Sequence, residues 1–432
     1  MLAVLGFSMI IVFMYLIMSG RLYALTALIV IPIIFALLGG FGTSIGPMML
    51  DGVKSIAPTG IMLIFAILYF SIMTDAGLFE PLIKKILHVV KGDPLKVVIG
   101  TALLALCVSL DGDGATTYII VVSAMLPLYK RLGINPLILT AMCMLAGGVM
   151  NILPWGGPTA RAITSLNLDT SQVFTPLIPV MGFGALWVLF VAWHFGKREK
   201  KRLGIINFEQ QERIEESIER ENKSTARPKL IWVNLALTIG LMVCLVMNVL
   251  PLSVLFMIAF CVALIINYPS LNDQRDRINE HAGNALSVAS MVFAAGIFTG
   301  ILTGTKMVDA MAGSLVSIVP ESLGPNFSII TAFTSLPFTF FMNNDSYYFG
   351  ILPILAKAAA AYDIGSAEMA RASLLGQPVH LLSPLVPSTY LLTGMAGVDF
   401  GDHQRFTLKW AIGTSVVMII FSILLGVMHL HL

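Results

Sequence analysis

Residues 109–117, SLDGDGATT, place Asp111 and Asp113 between two long apolar runs. LKVVIGTALLALCV precedes it and YIIVVSAMLPLY follows it, and both runs have the composition of buried segments. A carboxylate at the centre of a membrane helix costs about 3 kcal/mol on insertion scales, and two close together also repel. Gly112 and Gly114 permit a tight turn there. The pattern indicates a cation or proton site; the alternative is a structural pair that accepts backbone N–H bonds at a helix start.

The composition is that of a membrane protein. Of the 432 residues, 57% are hydrophobic and 12% are charged, whereas about a quarter are charged in soluble domains. Apolar runs of about twenty residues, long enough to span a bilayer, recur along the whole chain. The first run has no basic start and no cleavage site, so we expect a retained helix. The four cysteines have no metal-ligand spacing and are expected in the core, and the small net charge of +2 gives no reason to expect nucleic acid.

The longest hydrophilic stretch, residues 197–229, begins KREKKR and is predicted to be a charged cytoplasmic linker. Residues 97–128 have basic residues on both flanks, so both of their ends are expected on the cytoplasmic side. They therefore form a re-entrant hairpin with DGDG at its tip. Backbone that is not helical is tolerated at that depth only where it faces protein or a wet cavity.

The two halves of the chain, residues 1–196 and 230–432, follow the same plan. Single crossings of the first half are expected near residues 2–19, 22–41, 58–78, 136–157 and 173–196. Those of the second half are expected near residues 230–250, 252–268, 283–304, 367–395 and 406–430, with a second hairpin at about 326–356. Five crossings per half invert the second half in the membrane. The fold class is thus an all-α polytopic membrane protein with two inverted repeats, each of five transmembrane helices and a re-entrant hairpin, with broken helices at the midplane, as in secondary transporters.

The first broken helix, at about residues 136–160, contains the sequence NILPWGGPTARA. Its breakers are Pro154, Gly156, Gly157 and Pro158. Pro158 suits the first turn of a new half-helix, and Thr159 would lie close to its positive end, where free amides favour an anion. Asn151 offers both a donor and an acceptor. Arg161 either pairs with a carboxylate or extends to the membrane surface.

The second half supplies FFMNNDSYYFG at its hairpin tip, with the polar residues Asn343, Asn344, Asp345 and Ser346. The second broken helix, at about residues 367–395, contains QPVHLLSPLVPSTYL, where prolines interrupt the helix before Ser388 and Thr389. Gln377 and His380 lie upstream of this break. His380 is either a satisfied core histidine or a proton-linked or substrate group.

The predicted site combines features that favour opposite charges. Four half-helix N-termini meet near the midplane and attract negative charge, yet Asp111, Asp113 and Asp345 are expected in the same place. A bare anion would be repelled by the acids, and a bare cation would gain nothing from the amides. A carboxylate anion that carries a divalent metal satisfies both, and oxygen ligands suit a hard cation such as Mg²⁺ or Ca²⁺. A proton carried by one of the acids would be the driving ion.

Four motifs carry a resemblance that extends over essentially the whole chain: ALCVSLDGDGATTY, NILPWGGPT, FFMNNDSYYFG and HLLSPLVPSTYLL. Here the sequence resembles the citrate–divalent metal:proton symporter family of bacteria (CitMHS), within the ion-transporter superfamily. The resemblance implies a plasma-membrane symporter that takes up citrate as its complex with a divalent cation, coupled to protons. It also implies an elevator-like transport domain, a homodimer, no enzymatic activity and no permanently bound cofactor.

The resemblance and the residue arguments above together predict a set of functional residues. The substrate-binding residues would be Gly112, Gly114, Asn151, Gly157, Pro158, Thr159, Arg161, Asn343, Asn344, Ser346, Pro387, Ser388 and Thr389. The metal-contacting residues would be Asp111, Asp113 and Asp345, and the proton-linked candidates are Asp113, Asp345 and His380. Dicarboxylate carriers driven by Na⁺ typically show Ser-Asn-Thr at both hairpin tips. The acidic tips of this chain depart from that pattern and favour a metal-laden substrate.

Three alternatives compete with this interpretation. One is a Na⁺-coupled di- or tricarboxylate transporter whose substrate carries no metal. Another is a cation/proton antiporter that moves no organic solute. The third is an intramembrane enzyme, which the sequence disfavours because it offers no nucleophile–base pair and no phosphate-binding loop.

Overall fold

The protein is described by a computed structural model that covers residues 2–19, 21–90, 92–112, 114–204, 226–247, 249–316, 323–341, 344–383 and 386–430. Within these ranges all regular structure is helical and no strand occurs, which confirms the predicted all-α class. The α-helices of these ranges are, in chain order, α1 (Leu2–Met18), α2 (Ala24–Leu38), α3 (Ile45–Asp75), α4 (Glu80–Val90), α5 (Pro94–Val108), α6 (Gly114–Leu132), α7 (Pro136–Met150), α8 (Gly157–Leu166), α9 (Thr170–Leu203), α10 (Ile231–Val246), α11 (Leu252–Asn267), α12 (Leu271–Gly304), α13 (Met307–Val316), α14 (Phe327–Phe341), α15 (Leu352–Ala359), α16 (Ser366–Leu374), α17 (Gln377–His380), α18 (Pro387–Ala396) and α19 (Phe400–Leu424).

Several of these helices are long and apolar enough to cross a membrane. Five spans qualify among the described residues, namely Ile45–Asp75, Pro94–Asp111, Thr170–Leu203, Pro228–Leu245 and Phe400–Leu424. A sixth qualifies if Val292–Gly304 and Met307–Ser314, which meet at 69°, form one bent span. Shorter apolar helices lie at Leu2–Phe13, Leu25–Leu38, Pro136–Met150 and Leu252–Asn267. The membrane class is thus confirmed, whereas the ten crossings and the inverted arrangement of the halves stay predictions.

Both predicted hairpins and both predicted breaks correspond to interruptions of helices. In the first hairpin, a 3₁₀ turn at Ser109–Asp111 separates α5 from α6. In the second, a π-helical turn at Ser346–Ile351 leads into α15. Non-helical residues follow α7 until α8 begins, and α17 ends before the second break, after which α18 begins. Local sequence explains where α5 and α7, the helices before the first hairpin tip and the first break, begin. Both start with proline, and Asp93 and Asn135 cap them by accepting an N–H bond at 3.0 Å.

Two helix starts were predicted wrongly. The crossing expected from residue 58 begins at Ile45, since α3 continues through Pro58. The crossing expected from residue 283 begins at Leu271, because the polar sequence LNDQRDRINEHAGN forms the first turns of α12. At the predicted linker, α9 continues as far as Leu203. Residues 205–225, most of that linker, lie outside the described residues, so the linker stays a prediction.

The long helices α3 and α12 cross at glycines. A Cβ on Gly52 would overlap the carbonyl oxygen of Gly296, and a Cβ on Gly300 would lie 2.9 Å from the Gly52 Cα. Small residues at such crossings let backbones approach closely, and van der Waals packing then holds the helices together where lipid supplies no hydrophobic drive. The α3–α12 crossing is therefore fixed by backbone contact.

Packing divides the helices into two groups that meet around the candidate site. The long-helix group consists of α2, α3, α11 and α12, in which α12 packs against α2 and α3, and α3 also packs against α11. The hairpin group consists of α5–α9 and α14–α19, in which α5 packs against α7 and α9, and α18 packs against α6. Helix α8 touches both α3 and α12, so it lies at the boundary between the groups.

The glycine crossing gives a first prediction. Gly52→Val should lower the free energy of unfolding by more than about 2 kcal/mol, because an added side chain must force α3 and α12 apart. Thermal unfolding of the purified protein in detergent measures this change. The matched control is Gly46→Val on the same helix, since a Cβ there would meet nothing within 4 Å among the described residues. Equal unfolding temperatures for the two variants would show that the crossing is not tightly packed.

Candidate functional site

A cavity of about 600 Å³ lies between the two helix groups. The first hairpin and the first broken helix form one wall, and α3 and α12 form the other. The lining residues include Asp75, Asp111, Gly112, Trp155, Gly157, Arg161 and His281. Four of the residues predicted from sequence, Asp111, Gly112, Gly157 and Arg161, therefore share one cavity.

The tip of the first hairpin is held by the first broken helix. Trp155 donates its indole N–H to the Leu110 carbonyl at 2.8 Å. Gly112 has a φ of +78°, and a Cβ there would lie 2.6 Å from Trp155 Cδ1, so both backbone and space require glycine. Asp111 is buried, and its Oδ1 lies 3.5 Å from the Thr117 hydroxyl. Asp113 lies outside the described residues.

Arg161 pairs with Asp345 across the two halves of the chain. Arg161 Nε lies 2.6 Å from Asp345 Oδ1, and the side chains are 22% and 11% exposed. The guanidinium also folds back over the start of its own helix, because a Cβ on Gly157 would lie 2.8 Å from Nη1. A cation at a helix N-terminus needs an anion beside it, and Asp345 supplies one. Of the two alternatives for Arg161, the structure shows the carboxylate pair.

A chain of amides connects both broken helices with the second hairpin. Asn151 donates its side-chain N–H to the Gln377 side-chain oxygen at 3.0 Å. Gln377 in turn donates to the Asn344 side-chain oxygen at 3.2 Å and to the Tyr348 hydroxyl at 2.9 Å. Gln377 is fully buried at the centre of this network. Sequence reasoning placed Gln377 only upstream of the break and did not assign it a role.

The two predicted threonines close the helix breaks. Thr159 donates its hydroxyl to the Ile152 carbonyl at 2.8 Å, and Thr389 donates its hydroxyl to the Leu381 carbonyl at 2.6 Å. Each threonine lies in the first turn of a half-helix, just after Pro158 or Pro387, and each carbonyl belongs to the chain before that half-helix. Both hydroxyls therefore satisfy backbone that the interruption would otherwise leave unpaired.

The remaining predicted residues lie near the same region. A Cβ on Gly114 would lie 3.4 Å from the Ser388 hydroxyl, so the starts of α6 and α18 are neighbours. Ser346 is fully buried in the π-helical turn. His380 is buried against α14, where its Nδ1 lies 2.5 Å from the Thr339 carbonyl oxygen, and the described cavity lining does not include it. Asn343 lies outside the described residues.

Sequence reasoning missed a charged cluster on the opposite wall. Asp75 Oδ2 lies 2.7 Å from His281 Nε2 and 3.1 Å from Arg277 Nη1. Arg277 and His281 are four residues apart, so they share one face of α12. That spacing was available in the sequence, but placing the helix start at residue 283 left both residues outside the helix.

Metal-ligating side chains are sparse in the part of the chain that the structure describes. No group of three His, Cys, Asp or Glu side chains could hold an ion there, and the four cysteines are free. Asp345 is paired with Arg161, and Asp113 lies outside the described residues. The metal-contacting role of Asp111, Asp113 and Asp345 therefore stays a prediction.

The threonine contacts give a second prediction. Thr159→Val should destabilise the protein by about 1–3 kcal/mol, because the isosteric side chain leaves the buried Ile152 carbonyl without its donor. Thr159→Ser keeps the hydroxyl and serves as the control, with a smaller loss. Thermal unfolding of the purified variants measures both changes. A valine variant as stable as the wild type would show that the Thr159 hydroxyl does not stabilise this break.

Comparison with known proteins agrees with the motifs. The sequence matches the model of the citrate transporter family (CitMHS) over residues 6–376. A citrate transporter of Bacillus subtilis (strain 168) is 65% identical over 427 residues, which are 99% of each chain. A Mg(2+)/citrate complex secondary transporter of the same strain is 54% identical over 427 residues, again 99% of each chain.

The fold has a counterpart among solved structures. The crystal structure of the YdaH transporter of Alcanivorax borkumensis matches with a TM-score of 0.58, covering 88% of this chain and 86% of that chain. Its sequence identity is 14%, so this likeness shows the fold alone. The family match and the Bacillus relatives confirm the resemblance predicted from the motifs. The chain belongs to the citrate transporter family and is a membrane transporter.

Proposed function

We propose that the protein imports citrate as its complex with a divalent metal ion such as Mg²⁺ or Ca²⁺, in symport with protons, by an elevator-like alternating-access movement. We further propose that it acts in the plasma membrane as a homodimer. The name of one relative, a Mg(2+)/citrate complex secondary transporter, supports the choice of a metal-laden substrate. The observation that carries the proposal is the mixture of charges in one cavity.

That mixture suits a ligand with two faces. Arg161 and the amides at the start of α8 favour a carboxylate, whereas Asp111 on the same cavity wall favours a cation. The metal needs few protein ligands, because the carboxylates of citrate itself fill part of its coordination sphere. A scarcity of clustered acids in the described residues is compatible with such cargo.

The Arg161–Asp345 pair suggests how the substrate binds. A citrate carboxylate takes the place of Asp345 beside the guanidinium, so Arg161 keeps an anionic partner throughout. The released Asp345 carboxylate then faces the metal, together with Asp111. This exchange avoids leaving any buried charge unpaired, which would cost several kcal/mol. Asp113, Asp345 and His380 stay candidates for the proton-linked group.

The boundary between the two helix groups suggests which part of the transporter moves during transport. The long-helix group is fixed by backbone contact at its glycine crossing, and the hairpin group carries both hairpin tips and both broken helices. The cavity lies where the two groups meet. We propose that the hairpin group slides along the long-helix group and carries the substrate between the two faces of the membrane.

The proposed function has a direct test in proteoliposomes. Citrate uptake is measured with Mg²⁺, with Ca²⁺ and with a chelator, each with and without a pH gradient. We expect uptake to require a divalent ion and to increase when the outside is acidic. Uptake that survives the chelator and requires Na⁺ would select the Na⁺-coupled alternative. The absence of citrate counterflow would select the antiporter.

The ion pair gives a third prediction. Arg161→Gln should raise the half-saturating concentration of metal-citrate by about ten- to a hundredfold, the loss expected for one charged hydrogen bond. Asp345→Asn should abolish metal-stimulated uptake, because it removes the metal contact. The matched control is Asp309→Asn, which breaks the exposed Lys357–Asp309 pair and should change uptake little. Wild-type kinetics in Asp345→Asn would remove this pair from the site.

A further inference from the structure

The charged cluster on the long-helix wall has no role in the mechanism described so far. It consists of Asp75 at the end of α3 and of Arg277 and His281 near the start of α12. Asp75 is 20% exposed and His281 is 17% exposed, and both line the same cavity as Asp111 and Arg161. A half-buried cluster with two polar members lining a substrate cavity is a candidate binding site.

The position of the cluster assigns it to one end of the cavity. Next to Asp75, the Ala76 carbonyl accepts the backbone N–H of Arg227 at 3.0 Å. Arg227 lies near the end of the predicted cytoplasmic linker, residues 197–229, and its guanidinium lies over the Tyr268 ring at 4.7 Å. In the predicted topology, the cluster therefore lies at the cytoplasmic end, whereas Arg161 and Asp111 lie near the midplane.

The cluster is chemically suited to exchange carboxylates. A single oxygen of Asp75 contacts both Arg277 and His281, so one internal carboxylate holds both donors. A guanidinium has five N–H donors, and the contact with Asp75 is made through one nitrogen. The cluster lies at the C-terminal end of α3, where the helix dipole favours cations and disfavours Asp75. An incoming carboxylate can therefore compete with Asp75 for the same two donors.

We propose that Arg277 and His281 form a second carboxylate-binding subsite, which receives the substrate as it leaves the midplane site toward the cytoplasm. Asp75 is the internal competitor that keeps this binding weak, so that the substrate is released. This subsite rests on the proposed function, because it needs a carboxylate substrate that moves through the cavity. It adds a release step on the long-helix wall.

The test measures citrate transport from each face of the membrane separately. Right-side-out and inside-out vesicles give the half-saturating Mg²⁺-citrate concentration for the external and the cytoplasmic face. Arg277→Gln should raise the cytoplasmic value about tenfold, and Asp75→Asn, which removes the competitor, should lower it about tenfold. The external value should stay within about twofold of the wild type for both variants, since one membrane face alone is affected.

Two further variants separate binding from folding. Arg277→Lys keeps the charge and should restore most of the cytoplasmic affinity lost in Arg277→Gln. Asp51→Asn, which breaks the exposed Lys54–Asp51 pair of α3, should change neither value. Gel filtration establishes that each variant is folded before transport is measured.

Several results would overturn the subsite. Equal shifts of the half-saturating Mg²⁺-citrate concentration on both faces would show that the cluster only holds α3 and α12 together. The same direction of change for Arg277→Gln and Asp75→Asn, or no change in either, would also refute it. These outcomes differ from a failure of the proposed function, in which the wild type itself would show no metal-dependent citrate transport.

Discussion

A buried charge needs a partner, and the Arg161–Asp345 pair meets this constraint where the two halves of the chain meet. Arg161 belongs to the broken helix of the first half, and Asp345 belongs to the hairpin tip of the second half. Removing either partner would leave the other charge uncompensated, at a cost of about 3–5 kcal/mol. The pair therefore joins the two halves electrostatically, and the amide chain through Gln377 joins them by neutral hydrogen bonds.

The broken helices impose a second constraint, because their freed backbone groups also need partners. Thr159, Thr389 and Trp155 each donate to a carbonyl at an interruption. Thr159 and Thr389 look like ligands in the sequence, but in the structure their hydroxyls donate to backbone carbonyls. In the proposed mechanism, the substrate contacts come from groups that line the cavity, chiefly Arg161, Asp111 and the amides at the start of α8.

Features set by residues close together in the sequence were predictable, and contacts between distant residues were not. The helix breaks are set by local glycine and proline chemistry, so their places were predictable to within a few residues. The starts of α3 and α12 were not, because apolar runs mark the membrane core and not the polar turns that extend the helices. Partners such as Gln377 for Asn151, or Asp75 for His281, are distant in sequence, and no local pattern encodes them.

The charges on the two walls of the cavity bear on why a metal complex would be carried. The Arg161–Asp345 pair and the Asp75–Arg277–His281 cluster each combine opposite charges, so each wall can slide past the other without exposing a large net charge. Free citrate, a trianion, would bring a large uncompensated charge into this low-dielectric boundary. A divalent ion cancels most of that charge, and one proton cancels the rest. In the proposed mechanism, a neutral, internally paired cargo moving between internally paired walls would lower the electrostatic barrier to crossing, which would be a physical reason to couple citrate to both a metal and a proton.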